Sequence, residues 1–489
     1  MHQPVQFVFK QGFIYGIGNV LTKLSGVILL PLYLKYINET EFGVVTLFET
    51  IFQFILILSS WGVKGGFMRW YHEMKSRSGK KELFFTTWMF NFFTSFIAVA
   101  LVAVLLNIWS ETVFRYRVSE EIILYFLAGS FFRLLYDVPF YLMKLEQRAK
   151  LQTIWTSLNI LLVIGMTVYF LEFREMGLKG IYMAQMLAHG VTFLALIPFI
   201  LNHIKPKFNV NVLKEMIQYG LPLAISNILT TILTLSDRHI INQYQNLGEV
   251  AGYGMAFKIA NLVQMVVIAS LITAYSNYFF KTLHDKSNMQ FYSRFSRLFL
   301  ILITFGGLGV VLLSPEIMMV ISAGSEFFRE SIILIPVLIA GLIFSGWRQL
   351  LTLPLNKHKK TRLISIILVT CAAINILLNF ALVPVYGKMG ASVSTLIAQV
   401  IGMGWFYAEV KKLESINFQI GKLFLLFMLW VVMVIAGIWT FNLEIPVSWL
   451  LKSLIITFMA IAMYLFKIIR KDEINFVLQF IKTGRLHFK

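Results

Sequence analysis

The sequence contains little cysteine and little charge, and both shortages exclude classes of protein. Cys371 is the single cysteine among 489 residues, so an internal disulfide and a cysteine-based metal site are excluded. Charged residues make up 14% of the chain, whereas a soluble protein usually carries about 25%. Hydrophobic residues make up 58%, and the mean hydropathy is +0.75. We therefore predict an all-α membrane protein with many spans.

Motifs for catalysis and for cofactor binding are also missing. The eight histidines are scattered, with no pair at the spacing of metal ligands on one helix. The stretch SRSGKKE (76–82) lacks the first glycine and the Ser/Thr of a phosphate loop, and GIGNVL (16–21) lacks the third glycine of a dinucleotide fingerprint. We expect no enzyme activity, no metal and no cofactor.

Apolar runs long enough to cross a bilayer recur from one end of the chain to the other. The first run has no small-residue cleavage site, so we interpret it as a helix and not as a removed signal. The runs predict fourteen helices, at 11–34, 42–63, 83–107, 121–143, 152–171, 177–201, 213–236, 249–279, 295–318, 330–355, 363–384, 389–409, 422–441 and 446–466.

Basic residues are concentrated in every second predicted loop. The formal net charge is +19, and basic stretches such as KHKKTR (357–362) alternate with acidic or balanced ones such as INETEF (37–42). Lys and Arg favour cytoplasmic loops, so both termini are predicted in the cytoplasm. Because topology accounts for the excess charge, we expect contact with membrane lipid and none with nucleic acid.

Two parts of the sequence repeat at nearly the same offset. Gly12 and Asn19 match Gly220 and Asn227 at an offset of 208 residues, and MGLKGIYMAQMLA (176–188) matches YGKMGASVSTLIA (386–398) at 210. The offset covers six predicted helices, an even number, so the copies share one orientation in the membrane. Parallel repeats of this kind bind a substrate between two lobes. The predicted units are an N-terminal lobe at 1–204, a C-terminal lobe at 205–415, and an appended pair of helices with a tail at 416–489.

Ionisable side chains inside spans are costly, and this makes them candidates for function. The basic candidates for substrate binding are Lys23, Lys64, Arg69, Arg238 and Lys258. Glu49 and Asp237 are candidates for coupling or for neutralising a neighbouring cation, Glu49 beside Lys23 and Asp237 beside Arg238. Snorkelling of Lys64 and Arg69 to the inner surface, or capping of a helix end by Asp237 and Arg238, remains an alternative.

Arg133 and Asp137 are four residues apart, which places them on one face of a continuous helix. We interpret them as a structural ion pair inside the N-terminal lobe. Lys23 has no acid in its own span, and with Lys258 it predicts a cavity that accepts an anion. A lipid-linked diphosphate is the membrane anion that fits such a cavity.

Four motifs carry a resemblance over essentially the whole chain. They are EFGVVTL (41–47), WGVKGGFMRWY (61–71), SDRHIINQY with GEVAGYGMAFKIA (236–260), and YGKMGASVSTLIAQV (386–400). They resemble polysaccharide biosynthesis flippases of the O-antigen type, in the multidrug/oligosaccharidyl-lipid/polysaccharide exporter superfamily. Lys64 departs from the family pattern, because relatives carry small apolar residues there.

The resemblance implies two six-helix lobes around a V-shaped cavity that opens alternately to each side. It implies transfer of an undecaprenyl-diphosphate-linked oligosaccharide from the cytoplasmic to the outer leaflet of a bacterial inner membrane, next to polysaccharide polymerase machinery. It also implies that the basic residues on helices 1, 2, 7 and 8 line the cavity. A cation-coupled multidrug antiporter and a lipid II flippase are alternatives, and coupling to a proton or sodium gradient stays open. A glycosyltransferase or polymerase is disfavoured because every predicted outer loop is short.

Overall fold

The predicted all-helical membrane architecture is confirmed. The computed structural model describes residues 29–281, 289–358, 360–413 and 419–469, and the regular elements within these ranges are helices. Eleven of the described helices are long and apolar enough to cross a membrane. The number fourteen stays a prediction, because one of the eleven has 53 residues and helix 1 of the prediction lies almost wholly outside the described residues.

The helices follow the predicted spans closely. The first nine are α1 (Leu30–Tyr36), α2 (Glu39–Ser60), α3 (Val63–Glu73), α4 (Arg77–Phe114), α5 (Glu120–Leu135), α6 (Asp137–Leu145), α7 (Ala149–Val168, extended by a π-turn at Tyr169–Phe173), α8 (Gly177–His203) and α9 (Val210–Tyr244). The remainder are α10 (Leu247–Val263, extended by a π-turn at Gln264–Ile268), α11 (Ala269–Lys281), α12 (Met289–Leu312), α13 (Ser314–Ile321), a 3₁₀ helix (Glu326–Ile333), α14 (Leu334–Lys357), α15 (Thr361–Leu413), α16 (Ile420–Ile438) and α17 (Ile445–Leu465).

Two helices of the repeat begin in the same way. The Asn38 side chain accepts a hydrogen bond from the backbone of Glu41 at the start of α2, and Asn246 accepts one from Glu249 at the start of α10. Each pair closes the first turn by satisfying an amide that has no partner within the helix. The two caps are 208 residues apart, which is the offset of the sequence repeat.

Three departures from helical geometry bear on the predicted spans. Trp61 and Gly62 both have positive φ, 43° and 72°, and they separate α2 from α3. Tyr136 leaves helical geometry between α5 and α6. Gly387 has φ 53° and ψ −136°, a conformation open to glycine, and it bends α15 where the sequence predicts a loop.

The core is built around helices that lie far apart in sequence. The α2 helix packs against α10, the α9 helix packs against α3 and α15, and α5 packs against α8. A separate apolar cluster surrounds Phe67, Phe84 and Met216, and it joins α3 and α4 to the start of α9.

Following the predicted orientation, we call the end that carries Asn38 and Asn246 the outer end and the opposite end the inner end.

Candidate functional site

The two predicted lobes meet along a contact that we call the central seam, formed by α2 and α3 on one side and α9 and α10 on the other. At its outer part, a Cβ added to Gly43 would lie 2.2 Å from the carbonyl oxygen of Leu247. At its inner part, a Cβ added to Gly220 would lie 2.1 Å from the carbonyl oxygen of Gly62. Backbones approach this closely where glycine removes the side chain. The seam is closed at both ends.

Hydrogen bonds close the outer end further. Arg115 Nη1 donates to the carbonyl oxygen of Gln243 at 2.6 Å, and Asn242 Nδ2 donates to the carbonyl oxygen of Val113 at 2.7 Å. These bonds join the end of α4 to the end of α9. An opening of the outer end has to break them.

An ion pair crosses the seam between α2 and α10. Lys258 Nζ lies 2.5 Å from Glu49 Oε1, with 16% of the lysine side chain and 46% of the glutamate side chain exposed. The sequence suggested Lys23 as the partner of Glu49, and Lys23 lies outside the described residues. Because Glu49 keeps substantial exposure, its hold on Lys258 is partly screened, and an incoming anion has room to compete for the ammonium group.

Arg238 presents a buried guanidinium at the same seam. It is 4% exposed, its Nη1 donates to Thr50 Oγ1 of α2 at 3.4 Å, and its guanidinium carbon lies 4.9 Å from the centroid of the Phe257 ring. Its Nε has no hydrogen-bond partner. A buried cation held by a hydroxyl and an aromatic face retains most of its capacity to bind an anion.

The expectation that Asp237 restrains Arg238 is wrong in its geometry. The Asp237 carboxylate is fully buried and accepts hydrogen bonds from Tyr253 Oη at 2.6 Å, Asn379 Nδ2 at 2.6 Å and Thr395 Oγ1 at 2.8 Å. Consecutive residues of a helix point about 100° apart, so the carboxylate faces α10 and α15 while its neighbour faces α2. Asp237 therefore belongs to the interior of the C-terminal lobe.

That interior is rich in oxygen atoms. Asn379 Oδ1 is buried without a partner, and Asn375 Oδ1 lies 3.4 Å from the Asn379 amide nitrogen. With the Asp237 carboxylate and the Thr395 hydroxyl, these groups are the donor type that hard cations prefer. We call these groups the Asp237 cluster.

The predicted ion pair between Arg133 and Asp137 is wrong. Asp137 pairs with Lys64 of α3, and the Arg133 guanidinium lies 4.5 Å from the centroid of the Phe52 ring. The prediction assumed one continuous helix, but Tyr136 ends α5 and Asp137 begins α6, so the four-residue spacing no longer places the two groups on one face. Arg133 is exposed and has no carboxylate within ion-pair distance among the described residues.

Arg69 lies at the inner end of the seam. Its side chain is half exposed, pairs with Glu73 one turn later, and places its guanidinium 5.1 Å from the centroid of the Tyr219 ring of α9. Trp70 Nε1 donates to Glu215 of α9 at 3.0 Å. This arrangement fits the snorkelling alternative and adds an aromatic contact across the inner end.

Several residues of the site were not singled out in the sequence. Thr50 and Phe257 receive Arg238, and Asn379 and Thr395 receive Asp237, yet polar and aromatic residues of these types are common in spans. Asn379 and Thr395 follow Asp237 by more than 140 residues, so only the fold brings them together. The repeat offset is the signal that links α2 to α10.

The chain matches known families along most of its length. A family profile described as polysaccharide biosynthesis protein matches residues 8–283, and the MatE profile matches residues 222–381. A comparison with curated protein sequences gives no match.

Solved structures share the fold. The lipid II flippase MurJ in an inward closed conformation aligns with a TM-score of 0.71 at 16% identity, over 94% of this chain and 100% of that one. An inward-facing MATE family transporter of the MOP superfamily aligns at 0.65 and 15% identity, over 80% of this chain and 95% of that one. A mutant of the Vibrio cholerae MATE transporter VcmN aligns at 0.62 and 13% identity, over 84% and 98%. The resemblance stated from the sequence is confirmed.

Proposed function

Because the chain belongs to the polysaccharide biosynthesis protein family, we propose that it is a flippase for a lipid-diphosphate-linked oligosaccharide, of the undecaprenyl-diphosphate type. It carries this substrate from the cytoplasmic to the outer leaflet of the bacterial inner membrane, where surface polysaccharide is assembled. It acts by alternating access and not as an enzyme, next to polysaccharide polymerase machinery. Both termini lie in the cytoplasm.

The observation that carries the proposal is the state of two arginines. Arg133 lies within a helix apolar enough to span the membrane and Arg238 is buried at the central seam, and neither has a carboxylate within ion-pair distance among the described residues. An unpaired charge at membrane depth costs about 2.5–3.5 kcal/mol or more, so its retention indicates a ligand of opposite charge. A diphosphate supplies several oxygens that accept charge-assisted hydrogen bonds.

The remaining basic residues extend this surface. Lys258 is held by Glu49 until the diphosphate competes for it, and Lys64 is held by Asp137 in the same way. Lys23 lies outside the described residues, and the sequence predicts that it adds a further cation on the first helix. The predicted lobes, 1–204 and 205–415, separate along the central seam at one end while the other end stays closed.

Depletion of the protein tests the substrate. We expect a lipid-linked oligosaccharide to accumulate in the cytoplasmic leaflet, measured by mass spectrometry of extracted lipids and by protection from an impermeant glycan-modifying reagent. Re-expression of the wild-type chain restores export, and Arg133→Gln restores membrane abundance without export. Accumulation of lipid II instead would favour the lipid II flippase, and no accumulation of any lipid-linked glycan would reject the proposal.

A cation-coupled multidrug antiporter is the second candidate, favoured by the match of the MatE profile to residues 222–381 and by the buried carboxylate of Asp237. Both functions use a coupling cation at this cluster, either a proton or sodium. Asp237→Asn removes the charge and keeps one of the two acceptor oxygens. If that variant loses drug resistance while surface polysaccharide is unchanged, the antiporter is the better assignment.

A further inference from the structure

The outer end of the central seam carries a pocket that has no part in the function proposed so far. It has a volume of about 630 Å³ and is open to the outside. We call it the outer pocket, and its lining comes from both lobes: Glu111, Thr112, Arg115, Tyr116 and Arg117 at the end of α4 and in the turn after it, and Gln243 in the last turn of α9. Sites for small molecules have volumes of about 300–1,000 Å³, so the outer pocket has room for a lipid headgroup.

Two helices of opposite lobes cap each other at this pocket. The last carbonyl groups of a helix have no partner within the helix. Arg115 Nη1 donates to two of them at the end of α9, Gln243 at 2.6 Å and Asn242 at 3.4 Å. Asn242 Nδ2 in turn donates to the carbonyl oxygen of Val113 in the last turn of α4, at 2.7 Å. The pocket therefore keeps this form only while the outer end is closed, because opening separates α4 from α9.

The backbone of Arg115 indicates that its side chain is needed here. Arg115 has a φ of 50° and ends α4, and its N–H donates to the carbonyl oxygen of Glu111 at 2.8 Å. Glycine is the usual residue in this left-handed position, because a side chain there crowds the following carbonyl group. An arginine in its place accepts that strain and presents a guanidinium to the pocket.

The lipid-facing side of α4 sets the depth of the pocket. Large apolar side chains are exposed at intervals of three to four residues from Phe93 to Ile108, and the row ends at the half-exposed Trp109. Tryptophan is enriched where the hydrocarbon core meets the headgroups, and the headgroup layer is about 5–8 Å thick on each side. At about 1.5 Å per residue, Glu111 and Thr112 lie roughly 3–5 Å beyond Trp109. The outer pocket is therefore at the level of the lipid headgroups.

The charges of the pocket match a headgroup that carries both signs. Arg115, Arg117 and Glu111 are exposed, and none of the three has an ion-pair partner within the described part of the chain. Guanidinium groups bind phosphate through paired hydrogen bonds, and the Glu111 carboxylate accepts hydrogen bonds from a primary ammonium group. A phosphoethanolamine headgroup has both a phosphate and such an ammonium. A purely anionic headgroup would leave Glu111 beside a second negative charge, and a phosphocholine headgroup has no N–H to donate.

We propose that the outer pocket binds the phosphoethanolamine headgroup of an outer-leaflet lipid, with the phosphate at Arg115 and Arg117 and the ammonium at Glu111. Gln243 adds a contact from the opposite lobe, so the headgroup binds the closed outer end more tightly than the open one. By linkage, the bound lipid stabilises the closed outer end. This inference goes beyond the proposed function, because the transported substrate has no part in it.

Native mass spectrometry tests the binding. The full-length protein is purified in detergent with equal amounts of phosphatidylethanolamine and phosphatidylcholine that have the same acyl chains. We expect the wild type to retain phosphatidylethanolamine at least about fivefold better than Arg117→Gln and Glu111→Gln do. Within the described part of the chain neither side chain forms a hydrogen bond to α9, so closure through Arg115 is preserved. Arg174→Gln is the matched control, because Arg174 is an exposed arginine at the outer end that does not line the pocket.

Spin labels measure the effect on closure. Arg174 and Tyr386 are exposed at the outer end, one on each lobe, and lie outside the pocket. In nanodiscs that contain phosphatidylethanolamine, the ratio of closed to open distances should be at least about fivefold higher than in phosphatidylcholine alone. Arg117→Gln should remove this difference.

Three results would overturn the inference. Equal retention of phosphatidylethanolamine by the wild type, Arg117→Gln and Glu111→Gln would show that the lipid does not bind in the outer pocket. If phosphatidylglycerol is retained as well as phosphatidylethanolamine, the ammonium contact at Glu111 is wrong. Equal distances between the labels in both kinds of nanodisc would show that the lipid does not stabilise closure. The flippase proposal stands in each case, since it depends on the basic residues of the cavity.

Discussion

At the residue scale, substitutions of Lys258 and Glu49 show whether Lys258 contacts the substrate or only forms a structural ion pair with Glu49. If Lys258 binds the diphosphate, Lys258→Gln should lower surface polysaccharide about tenfold or more, because hydrogen bonds to charged groups contribute about 1.5–3 kcal/mol. Glu49→Gln should keep export near the wild-type level, because it frees the ammonium group instead of removing it. The measurement is complementation of a deletion strain, with membrane abundance determined in parallel.

A structural bridge would give a different pattern. Removal of either partner would then lower abundance to a similar extent, since each change leaves the other charge unpaired. Equal losses of abundance and export in Lys258→Gln and Glu49→Gln would therefore contradict the assignment. The exposure of Glu49, at 46% of its side chain, makes the asymmetric result the expected one.

Charged residues could be selected from the sequence, but their partners could not. Lys258 and Glu49 were conspicuous because ionisable groups are rare in spans, whereas their contact joins residues 209 positions apart. For Arg133 and Asp137 the local rule failed because the helix ends at Tyr136. Pro139 was a signal of this break, since proline is tolerated in the first turn of a helix and disrupts its interior.

At the element scale, the close approaches of the central seam predict which change opens each end. Gly220→Ala places a Cβ 2.1 Å from the carbonyl oxygen of Gly62, and Gly43→Ala places one 2.2 Å from that of Leu247. Both glycines lie in helices, where alanine is favoured by about 1 kcal/mol, so folding should be preserved. We expect Gly220→Ala to hold the inner end open and Gly43→Ala to hold the outer end open.

Distances between spin labels measure this. Labels at Glu73 and Lys214 report on the inner end, and labels at Arg117 and Tyr244 report on the outer end; all four residues are exposed. Each variant should lengthen the distance at its own end alone. Gly309→Ala is the control, because nothing lies within 4 Å of the added Cβ. If neither distance changes in the two seam variants, these contacts do not govern closure.

The pairing of helices was partly predictable. The repeat at 208–210 residues made α2 and α10 equivalent, and the caps at Asn38 and Asn246 extend that equivalence to the start of each helix. The division of the predicted second span at Trp61 and Gly62 was not predicted. A tryptophan with positive φ has no local sequence signature, and the break depends on the approach of Gly220 from a distant helix.

At the scale of the whole molecule, fold class and membrane character followed from composition and from the length of the apolar runs. These properties are sums over many residues, so no single contact decides them. The number of spans depends on single positions instead. The chain turns back at Gly387 within α15, since Asn375 and Thr395, on either side of it, are hydrogen bonded at 3.2 Å, and α9, which carries Asp237 and Arg238, is not among the eleven helices that are long and apolar enough to span.

The orientation of the chain in the membrane can be tested on α4 alone, whatever the total number of spans. Ser78 and Thr112 lie near opposite ends of this 38-residue helix. At about 1.5 Å per residue they are roughly 50 Å apart, further than the hydrocarbon core of about 30 Å, so they lie on opposite sides. In intact cells an impermeant thiol reagent should label Thr112→Cys and not Ser78→Cys, and permeabilised cells should be labelled at both. The native Cys371 is 1% exposed and adds little background. Labelling of Ser78→Cys alone would invert the topology and place the basic loops outside, which would remove the basis for outward transfer of the substrate.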